Sequence, residues 1–74
     1  MDTDRPEQLA ALVAEAEALA RGGRPQEAQG LWERVLLFEP QHAVAHNQLG
    51  ALALAYGDLD QAESHLLRAV AVAP

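Results

Sequence analysis

Residues 43–74, AVAHNQLGALALAYGDLDQAESHLLRAVAVAP, decide the fold of this chain. On either side of Gly57, apolar residues recur three and four positions apart, which is the spacing of amphipathic helices. Gly57 can supply the left-handed residue that ends the first helix. Asp58 and Gln61 have the spacing of an N-cap that begins the second. This stretch therefore predicts a helical hairpin.

The preceding residues 9–42 carry the same pattern one period of 34 residues earlier. A shift by this period superposes the positions with special roles, namely Gly23 on Gly57, Ala28 on Ala62, Arg34 on Arg68 and Pro40 on Pro74. A fixed period of roughly 20–50 residues is the signature of repeat architectures. The chain is therefore expected to contain two copies of one helical hairpin.

Glycine and proline divide the chain into four predicted helices. Gly22-Gly23 ends the first helix, and Pro25 can open the second. Glu39-Pro40 closes the second, because the residue before proline is disfavoured in helical geometry. The predicted helices cover residues 5–21, 25–38, 43–56 and 59–73, with Asp4 and Glu7 spaced as a capping pair at the start.

Composition limits the possible functions. The chain contains eleven acidic residues and five basic ones, all of them arginine, and its net charge is -6. This balance argues against binding to nucleic acid or to an anionic membrane, since both need clustered cations. The chain has no cysteine, which excludes a disulfide framework and a thiolate zinc site. With no secretory signal and no apolar run of spanning length, a cytoplasmic protein is expected.

The tandem pattern resembles the tetratricopeptide repeat (TPR) family over about residues 9–74. In the first helix of the second unit, His46, Leu49, Gly50 and Ala53 stand where that family favours Trp, Leu, Gly and Tyr. In its second helix, Ala62 and Leu66 stand where the family favours Ala and an aromatic residue, and Pro74 stands at the closing Pro. In the first unit Ala28, Trp32 and Pro40 fit well, whereas Glu15 stands at the Leu position.

The resemblance implies an all-α fold of two helix-turn-helix repeats, with four antiparallel helices in a short right-handed α-solenoid. It divides the chain into an N-terminal leader or cap (residues 1–8), a first repeat (9–42) and a second repeat (43–74). Small residues at Gly50 and Ala16 would let each helix lie close to its partner at Ala62 or Ala28. Leu66 and Trp32 would fill the space beside these contacts.

The resemblance also implies a function, which is protein–protein interaction without catalysis. The ligand-facing side of such a stack comes from the first helix of each repeat. The candidate groove residues are Val13, Glu17, Arg21, Val44, Asn47, Ala51 and Leu54. Bacterial relatives often carry such repeats ahead of a catalytic domain, which implies that this scaffold is the N-terminal part of a larger bacterial protein.

An alternative hypothesis is a self-associating structural module. Repeat arrays generally need about three units and capped ends, because one unit cannot bury its own apolar face. The fourth helix would leave Leu66, Leu67 and Val70 uncovered, beside Val72. We expect the isolated chain to form a homodimer or a higher closed oligomer through these residues.

Side chains that could carry chemistry have simpler interpretations. His42 and His46 lie four apart, a spacing that can place two imidazoles on one metal, but no third ligand is near. His65 stands alone in the sequence. The acidic pairs Glu15/Glu17 and Asp58/Asp60 lie two residues apart and do not share a helix face. We therefore expect no catalytic residues, no metal and no cofactor.

Overall fold

The structure, a computed structural model, describes residues 5–72, and all of its regular secondary structure within that range is helical. The helices are α1 (Arg5–Arg21), α2 (Pro25–Phe38), α3 (Ala43–Ala55) and α4 (Leu59–Val72). The predicted all-α class and its four helices are confirmed. Between residues 5 and 72 the predicted ends agree with the observed ones, except that α3 ends at Ala55 rather than at Tyr56.

Part of the predicted organisation lies outside the described residues. This applies to the cap at Asp4, to the closing Pro74 and to the end of the last helix at residue 73. It also applies to the first half of the expected leader. Residues 5–8, the second half of that leader, form the first turn of α1.

The helix ends follow from local residue chemistry. Gly23 and Gly57 have φ angles of 77° and 79°, which are left-handed and suit glycine because it has no Cβ. Pro25 stands in the first turn of α2, where its missing N–H costs no hydrogen bond. At α4, the Oδ1 of Asp58 accepts a hydrogen bond of 3.2 Å from the backbone N–H of Gln61. The breaks predicted at these glycines and the predicted Asp58 cap are confirmed.

Consecutive helices pack against one another, α1 on α2, α2 on α3 and α3 on α4. One buried cluster joins the two hairpins, and Trp32 at its centre is fully buried. Its members are Ala16 from α1, Ala28, Trp32 and Val35 from α2, and Ala45 and Leu49 from α3. Since α1 and α3 both contribute to the cluster around α2, the two hairpins share a core.

The Trp32 ring carries one polar group into this core. Its Nε1–H is buried and finds no hydrogen-bond acceptor among residues 5–72. An unpaired buried donor costs about 1–3 kcal/mol, which the packing of so large a ring can offset. Trp32 therefore stabilises the core through its apolar area rather than through a hydrogen bond.

Small residues stand where neighbouring helices meet. Ala16, Ala28 and Ala62 are buried, and so is Gly50. Glu15, which stands at the Leu position of the repeat pattern, is exposed, and the adjacent Ala16 is buried in its place among the core residues. None of the helices within residues 5–72 has the length and apolarity needed to cross a membrane.

Candidate functional site

Four of the candidate groove residues share one exposed face of α3. Val44, Asn47, Ala51 and Leu54 follow one another at intervals of three and four residues, and all four are exposed. Val44 is 42% and Leu54 is 52% accessible, large fractions for branched apolar side chains. The same helix buries Ala45 and Leu49 in the core. α3 therefore presents an apolar surface with one amide side chain, that of Asn47.

The three candidates on α1 differ in their exposure. Val13 is half-buried and packs against the core, and Glu17 is half-buried as well. Arg21 is exposed in the last turn of α1, where a cation is favourable next to the negative end of the helix dipole. The structure places these residues on a helix that shares the Trp32 cluster with α3.

Two of the α3 candidates lie beside α4. Val44 and Asn47 line a shallow cleft of about 270 Å³ together with Ala43, Ala69 and Val70. Val70 is one of the residues expected to mediate self-association, so the two predicted surfaces meet in this α3–α4 cleft.

The predicted self-association residues on α4 differ in how far their side chains are exposed. Val70 is 64% and Leu67 is 62% accessible, so both present apolar area to solvent. Leu66 is half-buried and lies against Gly50 of α3. The described apolar surface of α4 at this point therefore consists of Leu67 and Val70, while Leu66 belongs to the helix contact.

A second cleft, of about 240 Å³, lies between α2, α3 and α4. Leu49, Leu52 and Ala53 of α3 contribute its apolar wall. Its polar lining consists of Gln29 and Glu33 from α2, Tyr56 and Asp58 from the turn, and Gln61 and His65 from α4. Sequence reasoning missed this cleft because its residues come from three helices.

The structure brings His46 and His65 together. His46 is only 1% accessible, and its Nδ1 lies 3.0 Å from the Nδ1 of His65. Its other ring nitrogen, Nε2, lies 2.8 Å from the carbonyl oxygen of Pro40. Because a carbonyl can only accept, the Nε2 of His46 carries the hydrogen. In a neutral pair, the Nδ1 of His46 then accepts a hydrogen bond from the Nδ1–H of His65.

The surroundings of this pair disfavour positive charge on His65. Partial burial lowers the pKa of His65 below its usual value of 6.5, and His46 and Arg68 lower it further. Glu33 on α2 acts in the opposite direction. His65 therefore binds a proton less readily in the folded protein than in the unfolded chain.

His42 has a different role from His46. Its Nδ1 accepts a hydrogen bond of 3.1 Å from the backbone N–H of Ala45, and so it caps α3. His42 directly precedes the helix that the sequence predicts from residue 43, and this helix start is confirmed. Within residues 5–72, no group of three or more His, Asp or Glu side chains is placed to hold a metal ion.

The period of the sequence carries a signal for the histidine contact. His46 and His65 stand 34 residues after Leu12 and Leu31, both of which are partly buried against the core. Two histidines at core positions of the repeat would have suggested a buried pair. The remaining acidic candidates are not gathered into a site, since Glu15 is exposed and Asp58 caps α4.

No family model, curated protein or solved structure matches this chain. The features from which function can be inferred are the exposed faces of α3 and α4 and the contact between the buried His46 and the half-buried His65.

Proposed function

We propose that this chain is a protein-binding scaffold of the TPR type, in which two repeats form a short right-handed α-solenoid. The 34-residue period and the shared core of the two hairpins support this proposal. In it, α1 and α3 are the first helices of the two repeats, and their exposed faces bind a segment of another protein. The scaffold binds its partner and performs no catalysis.

The observation that carries the proposal is the exposure of Val44 and Leu54 on the face of α3 opposite the core. Two branched apolar side chains on one helix face would gain free energy by contact with a partner, about 25 cal/mol for each Å² of apolar surface that is buried. Between them, Asn47 can both donate and accept hydrogen bonds to a peptide backbone.

Charge narrows the class of partner. With a net charge of -6, the chain repels strongly acidic segments, although salt screens this repulsion beyond about 8 Å. The expected ligand is an apolar segment that is neutral or basic. A cation on the ligand could approach Glu17, while Arg21 could pair with a single carboxylate.

A peptide-library selection tests this function. The immobilised chain is offered a random peptide library, and the affinity of the selected peptides is then measured for the parent and for the double variant Val44→Glu/Leu54→Glu. We expect peptides enriched in apolar residues that bind the parent at least about tenfold more tightly than the variant, because buried charges weaken an apolar contact. A matched variant, Leu37→Glu, changes an exposed leucine on α2 and should bind like the parent. Selected peptides that bind the parent and the double variant equally would contradict the proposal.

The second candidate function is self-association, which the exposure of Leu67 and Val70 favours. A two-fold contact between α4 helices would cover both residues in each copy and would close without further growth. The α3–α4 cleft would lie at the edge of such a contact. In this case, the oligomer itself is the functional unit.

A further inference from the structure

The histidine pair joins three segments of the fold. Through its Nδ1, His46 on α3 is bonded to His65 on α4, and through its Nε2 it is bonded to Pro40 in the turn before α3. The two rings are 5.2 Å apart between centroids and are tilted by 37°. One nearly inaccessible imidazole therefore holds α3, α4 and the turn that links the two hairpins.

The number of protons that this arrangement can hold follows from its atoms. In the neutral pair, each hydrogen bond has one donor, the Nδ1–H of His65 and the Nε2–H of His46. A first added proton can occupy the Nε2 of His65 without breaking either bond, but it places a charge beside Arg68 at a partly buried site. A second proton must occupy the Nδ1 of His46. Two N–H groups, each on a charged ring, would then face each other across 3.0 Å.

We propose that acidification releases α4 from α3 by breaking the His46–His65 hydrogen bond. The doubly protonated pair has no acceptor between its rings and has two like charges in contact, so it is incompatible with the folded contact. The hairpin of α3 and α4 is therefore an acid-sensitive element, whereas the hairpin of α1 and α2 has no histidine within it.

Other charged groups around the pair do not remove this sensitivity. Glu33 on α2 favours a proton on His65, and Arg68 on α4 opposes it. Tyr56 and Asp58 line the same cleft as His65, and the carboxylate of Asp58 already accepts the capping hydrogen bond of α4. The hydrogen bonds of the His46 ring go to the carbonyl of Pro40 and to His65. The buried ring therefore has no acidic hydrogen-bond partner when it becomes charged.

The direction of the pH effect follows from proton linkage. The unfolded chain binds a proton at His65 near the usual pKa of 6.5, whereas His65 in the folded protein binds it less readily. The stabilising contribution of neutral His65 is complete above the pKa of the unfolded chain. It is lost as the pH falls from there towards the lower pKa of His65 in the folded protein. For one excluded proton, the folding equilibrium constant falls by up to about tenfold for each pH unit in this window.

The first test determines which ring nitrogens of His46 and His65 carry hydrogen in the unaltered chain. Long-range ¹H–¹⁵N spectra of the histidine rings at pH 7.5 should show His46 with hydrogen on Nε2 and His65 with hydrogen on Nδ1. Hydrogen exchange on lowering the pH to 5.0 should show α4 amides losing protection before those of α1 and α2. A His65 with hydrogen on Nε2 only, or equal loss of protection in all helices, would overturn the proposal.

The second test compares variants by urea unfolding between pH 7.5 and pH 5.0. His65→Asn retains an amide donor near the position of Nδ1 but does not titrate. The control His42→Asn also removes one histidine and keeps a good N-cap residue. The folding constants of the parent and of His42→Asn should fall more steeply with acidity than that of His65→Asn, by up to about tenfold per pH unit. Equal slopes for all three proteins would overturn the proposal.

Discussion

Gly50 of α3 lies directly against Leu66 of α4. A Cβ atom at Gly50 would be 2.9 Å from the Cγ and 3.0 Å from the Cδ2 of Leu66, and 3.4 Å from the Cβ of His65. These distances are shorter than normal contacts between carbon atoms, which are about 3.5–4.0 Å. The absence of a side chain at Gly50 therefore sets how closely the two helices approach beside the histidine pair.

Gly50→Ala should destabilise the fold. The added methyl group forces Leu66 and the neighbouring part of α4 to move, and such overpacking costs about 1–3 kcal/mol. Alanine is the better helix former by about 1 kcal/mol, which offsets part of this cost. Urea unfolding at pH 7.5 should show a net loss in the free energy of unfolding.

Gly30→Ala is the matched control for this substitution. Gly30 is an exposed residue in α2, and none of the described residues would lie within 4 Å of a Cβ placed there. The gain in helix propensity should stabilise this variant by about 0.5–1 kcal/mol. If Gly50→Ala and Gly30→Ala shift the unfolding midpoint equally, the close approach of α3 and α4 at Gly50 is absent.

Ala62→Leu should also destabilise the chain by overpacking. Ala62 is buried on α4, and three additional carbon atoms there would cost about 1–3 kcal/mol. Ala71→Leu changes an exposed residue of the same helix and should leave the thermal midpoint nearly unchanged. Coincident melting curves for Ala62→Leu and the parent would contradict the packing described for this position.

Gly57→Ala should destabilise the turn between α3 and α4. The φ angle of 79° at Gly57 is left-handed, and a residue with a Cβ pays about 1–2 kcal/mol to adopt it. Asparagine tolerates this conformation better than alanine, so Gly57→Asn should lose less free energy of unfolding. The reverse order of the two variants would show that the left-handed turn is not required.

Self-association should depend on the exposed side chains of α4. Light scattering at micromolar concentration should give a mass above the 7.9 kDa of one chain, and Val70→Glu or Leu67→Glu should reduce it towards that value. Leu37→Glu, which replaces an equally large exposed residue on α2, should leave the mass unchanged. A parent that scatters as a 7.9 kDa monomer would exclude the oligomer and leave the peptide-binding function.

The helix ends could be predicted from the sequence because their causes are local. The left-handed conformation at Gly23 and Gly57 and the cap at Asp58 each involve residues at most three positions apart. The buried face of α2 could be predicted for the same reason, since Ala28, Trp32 and Val35 follow helical spacing.

The contact between His46 and His65 could not be predicted from local spacing. It joins residues 19 positions apart and depends on the register of α3 against α4. Local spacing instead groups His42 with His46, because those two lie one helical turn apart, although no third ligand near them supports a metal site. The structure separates their roles, since His42 caps α3 and His46 enters the interface with α4.

The different exposure of Leu66 and Val70 could not be predicted from helical spacing, which groups both residues on α4, whereas the repeat resemblance did imply that Leu66 lies beside Gly50. Which of them is covered depends on where α3 has room, and Gly50 provides that room for Leu66. Next to Leu66, the large apolar side chains of α4 that remain exposed are those of Leu67 and Val70.

The central claim is that the two hairpins share one core around Trp32, so that α1 and α3 both lie against α2. A nuclear Overhauser spectrum of the methyl-labelled chain tests it most directly. The indole ring of Trp32 should show cross-peaks to the methyl group of Ala16 in α1 and to a methyl group of Ala45 or Leu49 in α3. Cross-peaks that connect the ring only to α1 and α2 would show two independent hairpins and would contradict the account.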